Sequence, residues 1–158
     1  MKITDALYGE HGLFYAHMEY LDRVLGGNEE PPLEVLQALA GGLENMVASH
    51  ARIEEDGLFA ALDVSLGGMG PLGVMLGEHR EIDRLLAAAQ ASGSAAACAG
   101  HLRDLLTLLR QHFIKEERVL FVLAQQHLDE GVLIALGETW ADTRHVTVRG
   151  PDDVPGCH

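Results

Sequence analysis

Two ten-residue segments repeat one arrangement of side chains: His50-Ala51-Arg52-Ile53-Glu54-Glu55-Asp56-Gly57-Leu58-Phe59 and His112-Phe113-Ile114-Lys115-Glu116-Glu117-Arg118-Val119-Leu120-Phe121. Each reads His, three residues, Glu-Glu, two residues, Leu-Phe. On a helix, residues four apart share a face one turn apart, so His50 with Glu54 and His112 with Glu116 each present an imidazole and a carboxylate to one point. Such a pair is a two-toothed clamp for a cation. Glu55 and Glu117 turn about 100° off that face at the helical period, and read as carboxylates in water or as partners of the ligands rather than as ligands. Leu58, Phe59, Leu120 and Phe121 read as core.

The elements that must carry these clamps are helices. Apolar residues recur at three and four rather than at two, and Leu and Ala outnumber Val and Ile, which excludes a sheet. Helix 1 is predicted to start after Thr4 as N-cap and to run through Leu7, Phe14, Met18, Leu21 and Leu25 to a stop at Gly26-Gly27-Asn28. Pro31 and Pro32 suit the first turn of helix 2, which continues through Leu36, Leu39, Leu43, Met46 and Val47 to about Leu62. The segment Ser65 to Gly70 is a break, Pro71 opens helix 3 to about Ala91, and Ser92-Gly93-Ser94 closes it. Helix 4 is predicted from Ala95 to Gln126 and a shorter helix 5 from Asp129 to Arg144. The expected fold class is all-α: an antiparallel up-down-up-down four-helix bundle with a short C-terminal fifth helix, residues 1–145 forming the bundle and 146–158 a flexible tail.

In that topology the starts of helices 1 and 3 and the ends of helices 2 and 4 share one end of the bundle. His11 and His79 then lie as far into their helices as Glu54 and Glu116 lie from the ends of theirs, all about 10 to 15 Å deep at 1.5 Å per residue. His11, His50, Glu54, His79, His112 and Glu116 fall in one layer. His17 is rotated about 120° from His11, and His101 lies about three turns before His112, so both are expected as surface or ordinary satisfied histidines. Tyr8 and Tyr15, three before and four after His11, can both face the layer, as bundle-lining aromatics or as partners of the ligands. Cys157 and His158 follow a tail with no helical pattern and are expected to stay out of it.

Burying imidazoles and carboxylates together is costly without charge compensation, which bound cations supply directly. Four imidazoles and two carboxylates exceed the needs of one tetrahedral zinc, so the economical solution is two metals with bridging carboxylates. Imidazole with carboxylate suits iron first and manganese second, with zinc as a further possibility. The ferritin-like di-iron bundles use a Glu-x-x-His order, unlike the His-first, four-residue spacing here.

Composition narrows the partners. The 158 residues fit one domain, and a net charge of -13 disfavours nucleic acid and anionic membrane surfaces while favouring cations. No apolar run reaches the length of a membrane-spanning helix, and Asp5, Glu10 and Glu19 stand where a secretory signal would be apolar. A cytoplasmic location is therefore expected. Cys98 and Cys157 are too few for a disulfide framework and are expected as unpaired thiols. No Ser, Cys or Lys arrangement points to covalent catalysis.

Through His11, His50-x-x-x-Glu54, His79 and His112-x-x-x-Glu116, the chain resembles the haemerythrin-like HHE cation-binding family over residues 4–128. The resemblance implies an oxo- or hydroxo-bridged pair of iron ions spanned by Glu54 and Glu116, with His11 and His112 on one side and His50 and His79 on the other. It implies a protein that binds O2 or a related small molecule, NO or peroxide, for sensing, storage or delivery. The alternatives are a di-iron enzyme that activates O2 or decomposes peroxide, and an iron sensor or store. Two departures separate the chain from the oxygen-carrying members. They have two histidines four apart on the third helix, whereas the positions four either side of His79 are Met75 and Asp83. Their fourth-helix carboxylate follows its His by five residues, not four. One iron is thus expected to have fewer protein ligands, with Asp83 or water filling the gap, which argues against simple reversible O2 carriage.

Overall fold

The computed structural model describes residues 1–66 and 70–148 as five continuous helices, with no strand among the described residues. Helix α1 spans Ile3–Leu25. Helix α2 runs over Leu33–Ile53, widens into a π-helical stretch at Glu54–Phe59, and ends as Ala60–Leu66. Helix α3 spans Pro71–Gln90. Helix α4 repeats the form of α2: Ala95–Lys115, a π-helical stretch at Glu116–Leu120, then Phe121–His127. The shorter α5 spans Glu130–Arg144.

The bundle follows from the spacing of its buried positions. In α1 these include Leu7, His11, Phe14, Met18, Leu21 and Leu25, and in α3 Leu72, Met75, His79, Ile82, Leu86 and Ala89. Steps alternating between three and four make a stripe with the 3.5 period that packs helices at shallow angles. In α2 and α4 the stripe changes to successive steps of four, His50, Glu54, Leu58, Leu62 and His112, Glu116, Leu120, Ala124, all buried. In a straight α-helix each such step drifts about 40° round the axis. The π-helical stretches take up that drift, and each begins at the glutamate of its clamp. A π-bulge adds one residue to a turn, a device found mostly at functional positions.

The core is divided. One cluster of buried apolar side chains, from Phe14 through Leu43 and Leu86 to Phe113, fills one length of the bundle. A second, from Ile3 and Leu7 through Leu58, Met75 and Leu120 to Leu133, fills the other. Between them lie the buried polar residues His11, His50, Glu54, His79, His112 and Glu116. Cys98 is a free thiol inside the first cluster.

Some helix ends differ from expectation. Thr4 is not the N-cap of α1: the helix starts two residues earlier, with Lys2 as cap, and buried Thr4 instead accepts a hydrogen bond from Gln125 Nε2. Pro31 and Pro32 precede α2 rather than forming its first turn, Pro32 being the cap. Ser94 caps α4 by accepting from the Ala97 N–H. Residues 67–69, within the break expected before Pro71, and residues 149–158, which include most of the expected tail with Cys157 and His158, lie outside the described residues. Among the described residues, no helix is long and apolar enough to cross a membrane.

Helix α5 closes on the start of α1. Leu133 enters the second cluster, with Leu136 and Trp140 packed against it. The approach depends on Gly137, where an added Cβ would collide with the Met1 carbonyl oxygen and stand 3.2 Å from the Ile3 nitrogen. Gly137→Ala should therefore destabilise the protein by about 1–3 kcal/mol through overpacking. Gly42→Ala, on an exposed helical position with nothing within 4 Å of its Cβ, should stabilise it by about 0.5–1 kcal/mol. Urea unfolding of the two variants measures both, and a neutral Gly137→Ala would show that α5 is not docked as described.

Candidate metal centre

Each of the four long helices places its His or His–Glu pair at the boundary between the two apolar clusters. All six side chains are buried. Their donor atoms fall into two overlapping groups, His11, His50, Glu54 and Glu116, and Glu54, His79, His112 and Glu116, with every atom of a group within 4.8 Å of the others. Each carboxylate divides its oxygens between the groups. Glu54 directs Oε1 to His50 Nε2 at 3.3 Å and Oε2 to His79 Nε2 at 3.5 Å. Glu116 directs Oε2 to His11 Nε2 at 3.3 Å and Oε1 to His112 Nε2 at 3.0 Å.

The other ring nitrogens face a second set of carboxylates. The Nδ1 atoms of His11, His50, His79 and His112 lie 2.9, 2.7, 2.6 and 3.0 Å from Glu117, Glu10, Glu55 and Glu78 respectively. The pairing runs round the bundle: α1 serves α2, α2 serves α3, α3 serves α4, and α4 serves α1. A carboxylate is acceptor-only when ionised, so each Nδ1 carries the proton and donates it, leaving Nε2 free to face a cation.

Those Nε2 atoms meet in pairs, His11 with His50 at 3.2 Å and His79 with His112 at 3.1 Å. This corrects the pairing implied by the resemblance, His11 with His112 and His50 with His79. The cause is the second set of carboxylates. Glu117 of α4 holds His11 by Nδ1 and Glu55 of α2 holds His79 by Nδ1, so their Nε2 atoms turn towards the opposite neighbours. Both groups thus contain two imidazoles, and neither is short of a ligand relative to the other. Asp83 fills no gap: it is exposed and belongs to neither group, because four residues after His79 lies about 40° beyond the buried stripe.

The electrostatics call for cations. All four carboxylate oxygens of Glu54 and Glu116 are buried without a hydrogen-bond partner among the described residues, the imidazole nitrogens being near but not aligned to donate. Two neutral Nε2 lone pairs facing each other across 3.2 Å repel, and removing two carboxylates from water costs several kcal/mol each without compensation. Protons can compensate in part. Burial pushes the His50 imidazole down, but the charge of Glu54 and the hydrogen bond to Glu10 outweigh it and lift it to about 10. Burial likewise opposes His79 and His112, and their carboxylate partners raise both. Glu54 is pushed up by burial and more strongly down by His50, and ends below its usual range.

Aromatic rings seal the layer. His11 stacks on Phe113 and Phe121 at 4.3 and 5.4 Å between centroids, Phe14 meets His50 edge-on, and Phe59 stacks on His79. Of the two tyrosines, Tyr8 turns away, with 60% of its surface exposed. Tyr15 does reach the site's surroundings, donating its hydroxyl hydrogen to Glu117 Oε1 at 3.2 Å; burial and the Glu117 charge push its hydroxyl up to about 12. His17 and His101 belong to neither group, and the buried Nε2 of His17 has no partner among the described residues.

Sequence reasoning anticipated a partnering role for Glu55 and Glu117 but missed Glu10 and Glu78. The signal was present in the repeated Glu-His dipeptides Glu10-His11 and Glu78-His79, in which each glutamate serves the histidine of the next helix rather than its own neighbour. Also missed were Trp140 and Arg144 on Glu10, and Lys115 on Glu78.

Comparison with known proteins points to cation binding. A family model described as "Hemerythrin HHE cation binding domain" matches residues 2–124. No curated protein and no solved structure gives a significant match.

The raised imidazoles set a pH dependence for the metal-free chain. His50 titrates at about 10 folded against 6.5 as a free imidazole, so its protonation stabilises the fold fully below pH 6.5 and that stability is lost as pH rises towards 10. Thermal unfolding of the metal-free chain should therefore move to lower temperature over that interval, while metal-loaded protein, whose cations replace the protons, should lose little. A metal-free melting temperature that holds steady or rises across the interval would contradict the assignment.

Proposed function

Starting from the chain's membership of the hemerythrin HHE cation-binding family, we propose that it holds two iron ions in the layer between its apolar clusters and binds O2 or a related small molecule, NO or peroxide, there. One observation carries this reading: Glu54 and Glu116 are buried without hydrogen bonds, and each offers one oxygen to either imidazole pair. A single ion at one pair would leave the other oxygens and the other facing nitrogens uncompensated. Charge supports the same number. Six carboxylates surround the layer, and Arg144 and Lys115 neutralise two of them, leaving four negative charges, those balanced by two divalent cations.

The residues present fit iron. His11 and His50, or His79 and His112, would hold one ion each, with Glu54 and Glu116 bridging. Two imidazoles with carboxylate oxygens and room for further ligands are a donor set suited to non-haem iron, and iron so held supplies a redox-active position for a small ligand. The chain itself supplies orientation and exclusion. Glu10, Glu55, Glu78 and Glu117 fix each ring by Nδ1, while Phe14, Phe59, Phe113 and Phe121 pack against the buried imidazoles. Tyr15 holds its proton on Glu117 and so helps to hold His11.

Anaerobic iron loading followed by metal analysis should give about two iron ions per chain, as expected of a two-metal site. Glu54→Ala and Glu116→Ala, each removing the link between the ions, should lose both, whereas Asp83→Ala should match the wild type. Addition of O2 or NO should then change the visible spectrum of the loaded wild type. One iron per chain, or selective retention of zinc, would overturn the di-iron reading; sustained peroxide consumption would move it from a binding protein to an enzyme.

A further inference from the structure

Among the four carboxylates that hold the imidazoles, Glu10 is braced in a way the others are not. Its Oε2 accepts from His50 Nδ1 at 2.7 Å and from Arg144 Nη2 at 3.1 Å, and its Oε1 accepts from Trp140 Nε1 at 2.8 Å and Arg144 Nε at 2.6 Å. Arg144 also donates through Nη1 to Ser49 Oγ, on the residue before His50. Its counterparts have less. Glu117 is met by His11 and Tyr15, and Glu78 by His112 and Lys115 of the same helix. Among the described residues Glu55 is met by His79 alone, with 41% of its side chain exposed.

Trp140 and Arg144 lie four apart and so on one face of α5, which is locked against α1 at Gly137. Neither touches a candidate ligand through a direct hydrogen bond; both act on Glu10. A glutamate has three rotatable side-chain bonds, and one at the edge of a buried site swings into water unless donors hold both oxygens. Its loss would release the His50 ring about its own torsions, and with it the direction of Nε2. Helix α5 lies beyond residues 2–124, the span that matches the family.

We propose that Trp140 and Arg144 are positioning residues for the His11–His50 metal position: by clamping both oxygens of Glu10 from the fifth helix, they fix the acceptor that orients His50. The inference rests on the reading of the layer as a two-metal site. It makes the two positions unequal, one braced by a separate helix and the other leaning on the exposed Glu55.

The test compares the full-length wild type with Arg144→Met and Trp140→Phe, which keep apolar bulk and remove the donors, with Glu10→Gln, and with the Arg144→Met/Glu10→Gln double variant. Each is loaded anaerobically with ferrous iron and titrated with a chelator. Arg144→Met should weaken one of the two iron equivalents about 10- to 100-fold, in the range for partners of metal ligands, and leave the other unchanged. Arg144→Lys should restore part of the loss. The double variant should be no weaker than Glu10→Gln alone, because the effect passes through Glu10. A merely structural α5 would instead weaken both equivalents, and the losses would add. In the metal-free chain, exchange of the His50 Nδ1 proton with water, followed by NMR, should quicken in Arg144→Met and Trp140→Phe. Unchanged exchange, or additive losses in the double variant, would overturn the proposal. A wild type that holds fewer than two irons would fail the di-iron reading instead, and the exchange measurement would still decide the role of Arg144 and Trp140.

Discussion

The structure turns on two buried carboxylates that none of the described residues satisfies by hydrogen bonding. Glu54 and Glu116 stand in the middle of a hydrophobic bundle with their oxygens unpaired, an arrangement that a protein core does not retain unless cations or protons compensate it. Much else in the fold meets that constraint. The apolar core is split into two clusters to make room for a polar layer. Two helices widen into π turns at those glutamates. Four imidazoles are aimed at them in facing pairs. The same residues that cost stability in a metal-free chain become a specific cation site once the charge is supplied, which ties folding to metal binding.

The imidazoles depend in turn on carboxylates around them. Because each helix orients the histidine of the next, the site cannot be assembled from any one helix or any adjacent pair. It forms only when all four pack in register. The ring also decides which histidines face each other: Glu117 and Glu55 claim Nδ1 of His11 and His79, and so turn the two Nε2 atoms towards His50 and His112. The fifth helix adds a brace to one side through Glu10, while the His79–Glu55 edge is where the layer comes nearest to solvent.

Much of this was legible in the sequence because a bundle of long helices makes depth nearly a function of residue number. Counting residues from predicted helix ends placed His11, Glu54, His79 and Glu116 in one layer, and the structure brings their donor atoms together with those of His50 and His112. What stayed hidden depended on rotation rather than depth. Asp83 and Tyr8 share the turns of the layer but point to solvent. Glu10 and Glu78 precede histidines that they do not serve, so no local pattern reveals their partners. Trp140 and Arg144 are separated from Glu10 by 130 and 134 residues, and only the docking of α5 unites them. The π turns had a trace in the sequence, the three successive steps of four after His50 and His112, which a uniform α-helix does not keep on one face.

In the proposed centre two ions share the layer, held by Glu54 and Glu116 together and divided between the pairs His11–His50 and His79–His112. Anomalous diffraction at the iron edge from crystals of iron-loaded protein tests this directly. Two peaks are expected between the carboxylates, one beside each facing pair of Nε2 atoms. A single peak, or two peaks that join His11 with His112 and His50 with His79, would contradict it.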